Sequence, residues 1–369
     1  MKTAWDPVTK FFISVIGMVV ILLVLRELQF IFIPFSIAYF LFFVFEPVNL
    51  FLQKKKIPHT ATVIIDLLLM ILILYGISHV FIASFERMSS QFPQYGDKIN
   101  LLVRSTAVSL NITDPSIVNF NLTSFLSKID YSVIAGGVFS STVSFFSTSF
   151  LVLFFFIFIS SGHDKIFEAV KDRYVEKNII LSLGGQDDTT ISKTEEIEKI
   201  KADRGLRIEK TFKDITGQVQ EYIATKFLIN LISGIIFTII LFLFGVDYAV
   251  VWGAFSFLFN FIPNIGSIFS VVLPSLMSLI QYGSFGYTGI ILLTMIVVQN
   301  LIGNVVEPKI FGNRLGLNPI VILISLLLWG YIWGIIGMFI SVPLTAIIKI
   351  IVSSSNSKNM QFFSRLMSS

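Results

Sequence analysis

A few amide and carboxylate side chains stand in stretches otherwise apolar enough for a lipid bilayer. They define the chemistry open to this chain. Asn260 and Asn264 bracket Pro263 in the run Asn260-Phe261-Ile262-Pro263-Asn264-Ile265-Gly266. In hydrocarbon an unpaired amide costs several kcal/mol, so these groups must face protein or water. A proline at the first position of a new helix loses nothing by lacking an N–H. The N–H groups of Asn264, Ile265 and Gly266 would then point inward as a partial positive charge, suited to an anionic or hydroxyl-rich ligand. The competing assignment is a proline kink whose amides cap broken backbone.

A second group is Gln299, Asn300, Asn304 and Glu307. Asn300, Asn304 and Glu307 have i, i+4, i+7 spacing, which predicts one helical face. Glu307 precedes Pro308, where the helix is expected to end. A carboxylate at the end of a polar stripe can bind a cation or exchange a proton; interhelical bonding with an interfacial acid is the plainer role. Lys226, Asn230 and Ser233 form a shorter stripe, read chiefly as packing or interface groups. Gly330-x-x-x-Gly334, followed by Gly337, allows close helix approach, as part of a site or as a packing face. Asp66 lies near one end of its apolar stretch and His79 deeper along it. Either could relay protons, or serve as an interfacial acid and a hydrogen-bonded ring.

The elements that must carry these residues are apolar runs of unusual length. From Tyr248 to Ile280 there are 33 residues without a charge. As one helix this is roughly 50 Å, against a hydrocarbon core of about 30 Å. Two full spans would need more residues. The run Asn318–Ile348 is similar, with Trp329-Gly330-Tyr331-Ile332-Trp333-Gly334 near its centre. Interrupted apolar segments of this kind build transport sites in membrane proteins.

Composition places the chain in the membrane. Of 369 residues, 54% are hydrophobic and 14% charged, whereas a soluble domain carries about 25% charged residues. There is no cysteine, which excludes disulfides, thiol catalysis and cysteine metal sites. The three histidines form no ligand pattern, so no metal or other cofactor is expected, and a net charge of +4 gives no case for nucleic acid. The first apolar stretch lacks a small-residue cleavage site and is read as a retained anchor.

Plain spans are expected at Val8–Leu25, Leu28–Phe45, Ala61–Phe85, Val143–Ser161, Phe227–Val246 and Tyr287–Val306. Domains are expected at 1–85 (membrane helices), 86–141 (extracytoplasmic), 142–161 (membrane helix), 162–222 (cytoplasmic, charged), 223–352 (transport core) and 353–369 (cytoplasmic tail). The stretch Gly162–Glu221 holds 11 Lys/Arg and 13 Asp/Glu. Its apolar residues from Ile197 to Val219 have helical spacing, which predicts a solvated amphipathic helix over Lys193–Glu221, preceded by a flexible loop at Gly184–Asp188.

Basic residues near span ends put both termini inside. If the two long runs enter and return as hairpins, Lys309 and Arg314 also fall inside, so the charge rule favours hairpins over plain crossings. Span-then-hairpin then occurs twice, at Phe227–Ile280 and Tyr287–Ile348, with inverted orientation and weak similarity. Ile265-Gly266, Phe269, Ser270, Val271 and Pro274 compare with Ile336-Gly337, Phe339, Ser341, Val342 and Pro343. Inverted repeats meeting near the midplane are a transporter signature.

No H-E-x-x-H, Walker loop, G-x-S-x-G or intramembrane G-x-G-D motif occurs, so neither enzymatic activity nor nucleotide-driven transport by this chain alone is expected. The motifs that do occur are Asn260–Gly266, Val306-Glu307-Pro308-Lys309-Ile310-Phe311-Gly312-Asn313-Arg314-Leu315-Gly316-Leu317-Asn318-Pro319, and Gly334-Ile335-Ile336-Gly337 with Pro343-Leu344. In these, over about residues 10–352, the chain resembles the autoinducer-2 exporter family of bacterial membrane proteins. The resemblance implies a polytopic inner-membrane protein of about eight membrane segments that exports small molecules such as autoinducer-2; some members are described as sodium/proton antiporters. The family often has Gly-Gln where Thr225-Lys226 stands, an aromatic at Asn264 and a proline at Ser267.

The resulting expectation is an all-α polytopic bundle acting as a secondary transporter. Substrate would contact Asn260, Pro263, Asn264, Gly266, Asn230, Gln299, Asn300, Asn304, Gly330 and Gly334. Glu307 and Asp66 would couple transport to a proton or sodium ion. The alternatives are a sodium (lithium)/proton antiporter and a non-transporting scaffold. Beyond substrate and lipid, a homo-oligomer is compatible with the sequence, but no residue pattern fixes its number.

Overall fold

The computed structural model describes residues 6–112, 114, 115, 121, 122, 144–162, 192–311, 317–353 and 358–368. The loop at 184–188 and Arg314 lie outside these. Among the described residues every regular element is a helix. They are α1 (Pro7–Glu27), α2 (Gln29–Lys54), α3 (His59–Ser109), α4 (Ser144–Gly162), α5 (Ser192–Leu243), α6 (Ala249–Phe259), α7 (Ile265–Tyr282), α8 (Phe285–Leu301), α9 (Glu307–Phe311), α10 (Pro319–Ser353) and α11 (Lys358–Leu366). A π-helical turn, Ile302–Val306, joins α8 to α9. Seven stretches of these helices are long and apolar enough to cross a membrane. The protein is an all-α, multi-pass membrane protein.

The chain forms two compact units, each assembled from separated segments. The first contains Met1–Ile64, Thr148–Ala224 and Arg314–Ser369; the second contains Ile65–Ser147 and Thr225–Asn313. The divisions at 64/65, 147/148 and 224/225 fall inside α3, α4 and α5.

In the second unit the 33-residue run is a hairpin. α6 has 11 residues, about 16 Å at 1.5 Å each, which is half a hydrocarbon core. After the turn at 260–264, α7 returns to where α6 began. The Gln281 amide donates to the carbonyl of Gly245 at 2.9 Å and accepts from the backbone N–H of Asp247 at 2.8 Å, while the Tyr282 hydroxyl donates to Gly245 at 2.7 Å. The arms can touch because Gly266 has no Cβ: one there would collide with the carbonyl of Phe259. Phe237, Leu241, Val246, Ala249, Val271, Ile291 and Met295 form the core joining α5, the hairpin and α8.

α3 continues well past the expected span end at Phe85, through Pro93 and Gly96. Its extension clasps the open end of this hairpin. Tyr95 donates to Asp247 Oδ2 at 2.7 Å, Tyr248 donates to Gln91 Oε1 at 2.7 Å, and Lys98 donates to the carbonyl of Gln281 at 2.8 Å. Burial, followed by the bond to Asp247, raises the Tyr95 phenol far above its ordinary pKa, so it stays protonated and donating.

In the first unit α10 is also a hairpin: two helical arms meet at a non-helical Gly334. Gly334 has φ 63° and ψ −143°, a conformation that glycine adopts without a side-chain clash. Ser325 donates to the carbonyl of Ser341 at 3.1 Å and pairs with the Thr345 hydroxyl. A straight helix would hold Ser325 and Ser341 about 24 Å apart. A Cβ on Gly337 would collide with the carbonyl of Trp329, as one on Gly266 would with Phe259. The similarity of Ile265-Gly266 to Ile336-Gly337 thus marks one job done twice: a glycine in the returning arm lets it meet the outgoing one.

The second tip is not near mid-depth. Trp333 Nε1 donates to the carbonyl of Leu25 at 2.9 Å, and Arg26 bonds the Tyr331 hydroxyl at 3.0 Å. The tip therefore sits level with the α1–α2 turn, at the end of two apolar helices, where Trp and Tyr suit a lipid–water boundary. Gly337→Ala should lower thermal stability in detergent by about 1–3 kcal/mol through overpacking. Gly289→Ala, in α8 with open space at its Cβ, should be neutral or slightly stabilising.

Candidate polar site in the first hairpin

The turn between α6 and α7 lies deep. From the polar mouth near Phe244 and Tyr287, Ser233 is about ten residues down α5 and Gln299 about twelve down α8. At 1.5 Å per residue this is about 15–18 Å, near the middle of a hydrocarbon core. Asn260 closes α6 there, with its side chain buried. Its Nδ2 donates to Ser233 Oγ at 3.0 Å and to Ser256 Oγ at 3.4 Å. Its Oδ1 accepts from Gln299 Nε2 at 3.0 Å and from Ser270 Oγ at 3.4 Å. Gln299 Nε2 also donates to Ser267 Oγ at 2.8 Å. One amide thus ties α5, both arms of the hairpin and α8 together.

Helix α7 starts differently from the expectation. Pro263 lies in the turn, two residues before the first helical residue, Ile265. The N–H of Ile265 bonds the Pro263 carbonyl at 2.7 Å, and that of Gly266 bonds Ile262 at 3.0 Å. Two of the three donors proposed for an anion are therefore spent on the turn, and a ready anion cradle is not built. Asn264 has φ 62° in a half of backbone space that asparagine tolerates better than most residues. Its side chain is exposed.

On α8 the single polar stripe is split. Asn300 and Asn304 are exposed; Asn304 bonds Asn300 at 2.8 Å, and Asn300 bonds the Ile296 carbonyl at 2.9 Å. Glu307 turns instead toward α5, where Lys226 Nζ meets its Oε1 at 2.5 Å. The cause is the π turn at Ile302–Val306, which advances less per residue than an α-helix. Eight α-helical steps would leave Glu307 about 80° from Gln299; the wider turn closes much of that angle. Gln299 and Glu307 therefore both face α5. The helix also does not end at Pro308, because α9 runs to Phe311. The proline falls in the first turn of α9, where no helical donor is needed.

Lys226 and Glu307 are shielded, with side chains 13% and 25% exposed. Between this pair and the Ser233–Asn260–Gln299 network, on the same face of α5, lies Asn230. It is 1% exposed, and no described protein group bonds either atom of its amide. Gln299 Oε1 is likewise buried without a partner. Leaving such groups unmatched costs about 1–3 kcal/mol each, so Asn230 is not explained by packing.

The other expected site residues lie elsewhere. Asp66 is fully buried in α3, while His79 is exposed and stacks on Tyr75 with ring centroids 6.2 Å apart. Gly330 faces the Met338 side chain and Gly334 is the bend of α10; both belong to the first unit. Ser267 and Ser270 are functional candidates that spacing did not select, and the pairing of Lys226, read from sequence as a packing or interface group, with Glu307 was not foreseen. The one available signal was a lysine and a glutamate each set into an apolar flank.

A family model described as AI-2E family transporter matches residues 11–177 and 194–357. A putative transport protein of Borreliella burgdorferi is 30% identical over 331 residues, covering 88% of this chain and 81% of that protein. One from Haemophilus influenzae is 26% identical, covering 93% and 92%. The AI-2 transport protein TqsA of Escherichia coli is 36% identical over 132 residues, 36% of this chain and 38% of that protein. In a double-mutant cycle read by thermal unfolding in detergent, Lys226→Ala and Glu307→Ala should each destabilise. The double mutant should recover about 1–3 kcal/mol relative to their sum.

Proposed function

The chain belongs to the AI-2E transporter family, and we propose that it is a secondary transporter exporting a small polar molecule such as autoinducer-2 by alternating access. The observation that carries this is the buried amide of Asn230, set between a hydrogen-bonded network and a neutralised ion pair. Amide and hydroxyl groups offer paired donors and acceptors, which suit a neutral, hydroxyl-bearing solute. Asn260 and Gln299 orient the first hairpin around that position. Asn264, Pro263 and Gly266 shape its tip, with Asn300 and Asn304 along the approach. In this scheme the protein lies in the cytoplasmic membrane with both termini inside.

Glu307, with Asp66 as a second candidate, is the carboxylate we propose for coupling transport to a proton or sodium ion. The sodium/proton antiport alternative would use Glu307 directly. In either scheme the Lys226 ammonium would have to leave that carboxylate before a proton or sodium ion took its place.

Asn230→Ala separates function from stability. Removing an amide that no described group bonds should leave thermal stability unchanged or raised, yet reduce solute export at least tenfold in proteoliposomes. Full export activity would overturn the assignment. Sodium-driven proton movement without organic solute, read with a pH-sensitive dye, would instead establish antiport.

A further inference from the structure

The strongest unused feature is α11, a nine-residue helix that follows the last arm of α10. At 100° per residue, Met360, Phe362, Phe363, Leu366 and Met367 share one arc of about 160°. Lys358 and Arg365 fall together at the edge of that arc. The apolar residues are not spent on a protein core: Phe362 is 59% and Phe363 56% exposed, with Met360 and Leu366 also open.

The helix nevertheless has a fixed place. Ser368 pairs with Leu317 in an isolated bridge, and the backbone N–H of Asn318 bonds the Met367 carbonyl at 3.0 Å. Met367, like Tyr222 and Ile322, packs against the buried cluster of Leu317, Val342 and Ala346. This anchorage is at the open end of the α10 hairpin, where the outgoing arm starts and the returning arm finishes. The arms themselves expose Ile320, Leu323 and Leu327, the face that an apolar membrane hairpin presents to lipid. The exposed aromatic arc of α11 is thus held where that lipid-facing surface ends.

Charge identifies the lipid. From Pro308 to Ser369 the chain contains no Asp or Glu, while Lys309, Arg314, Lys349, Lys358 and Arg365 are basic. We infer that α11 is an interfacial helix that lies on an anionic lipid surface. Its Phe362, Phe363 and Leu366 enter the acyl boundary, and Arg365 meets headgroup phosphates. The inference is independent of what the protein transports.

The absence of cysteine makes the test direct. Phe363→Cys and Ser364→Cys variants of the full chain would be spin-labelled in vesicles of phosphatidylethanolamine with phosphatidylglycerol. The label at 363 should favour oxygen over a water-soluble nickel chelate several-fold more than the label at 364. Equal chelate access at both would overturn the inference. So would spin–spin broadening at 363, which would assign the arc to a second copy of this chain. Replacing Lys358→Gln and Arg365→Gln should lower the ratio of inserted to free helix at 363 by about fivefold per lost charge, and phosphatidylcholine alone should lower it as well. Insertion indifferent to both changes would exclude an anionic partner.

Discussion

Breaking a helix in hydrocarbon is allowed only if something other than water takes over the freed polar groups. The first hairpin depends on that constraint at Asn260. Its one amide reaches α5, its own arm, the returning arm and α8. Serines finish the task close to the backbone: Ser270 returns a bond to the Gly266 carbonyl at 2.8 Å. The turn itself absorbs the N–H groups of Ile265 and Gly266. The break is therefore closed to casual ligands, and the chemistry left over is concentrated in side chains that the turn does not use.

The second hairpin answers the same constraint by another route. Gly334 reverses the chain in a conformation open to glycine, and Ser325 ties the two arms through Ser341 and Thr345. Its tip carries aromatics to the level of Arg26 rather than amides to mid-depth. Two segments of similar length and composition thus end in different chemistry, one polar and buried, the other aromatic and at a helix boundary.

Much of this was legible in the sequence. Run length alone ruled out a single helix or two spans, and Lys309 with Arg314 pointed to hairpins before any contact was known. The predicted amphipathic helix over Lys193–Glu221 lies within α5, which continues without a break into the next apolar span. Asn260 stood out because an amide in an apolar run needs a partner. What stayed hidden was of two kinds. Partners far apart in sequence leave no local pattern: Lys226 and Glu307 are 81 residues apart, Tyr95 and Asp247 152 apart. Small changes of helical pitch also escape periodicity. The π turn at Ile302–Val306 moved Glu307 off the expected face, and Pro308 proved compatible with a helix restarting beneath it. The depth of the second tip was invisible because length counts residues, not the level at which a neighbour holds them.

The Lys226–Glu307 contact has a consequence for electrical work. A lone carboxylate shifted across the full field of an energised membrane exchanges about 2.3 kcal/mol for each 100 mV. An ammonium bonded to it cancels that charge, so the pair can move as a neutral dipole with little dependence on voltage. Any step that carried this pair through the membrane field would therefore leave the potential little net charge to act on.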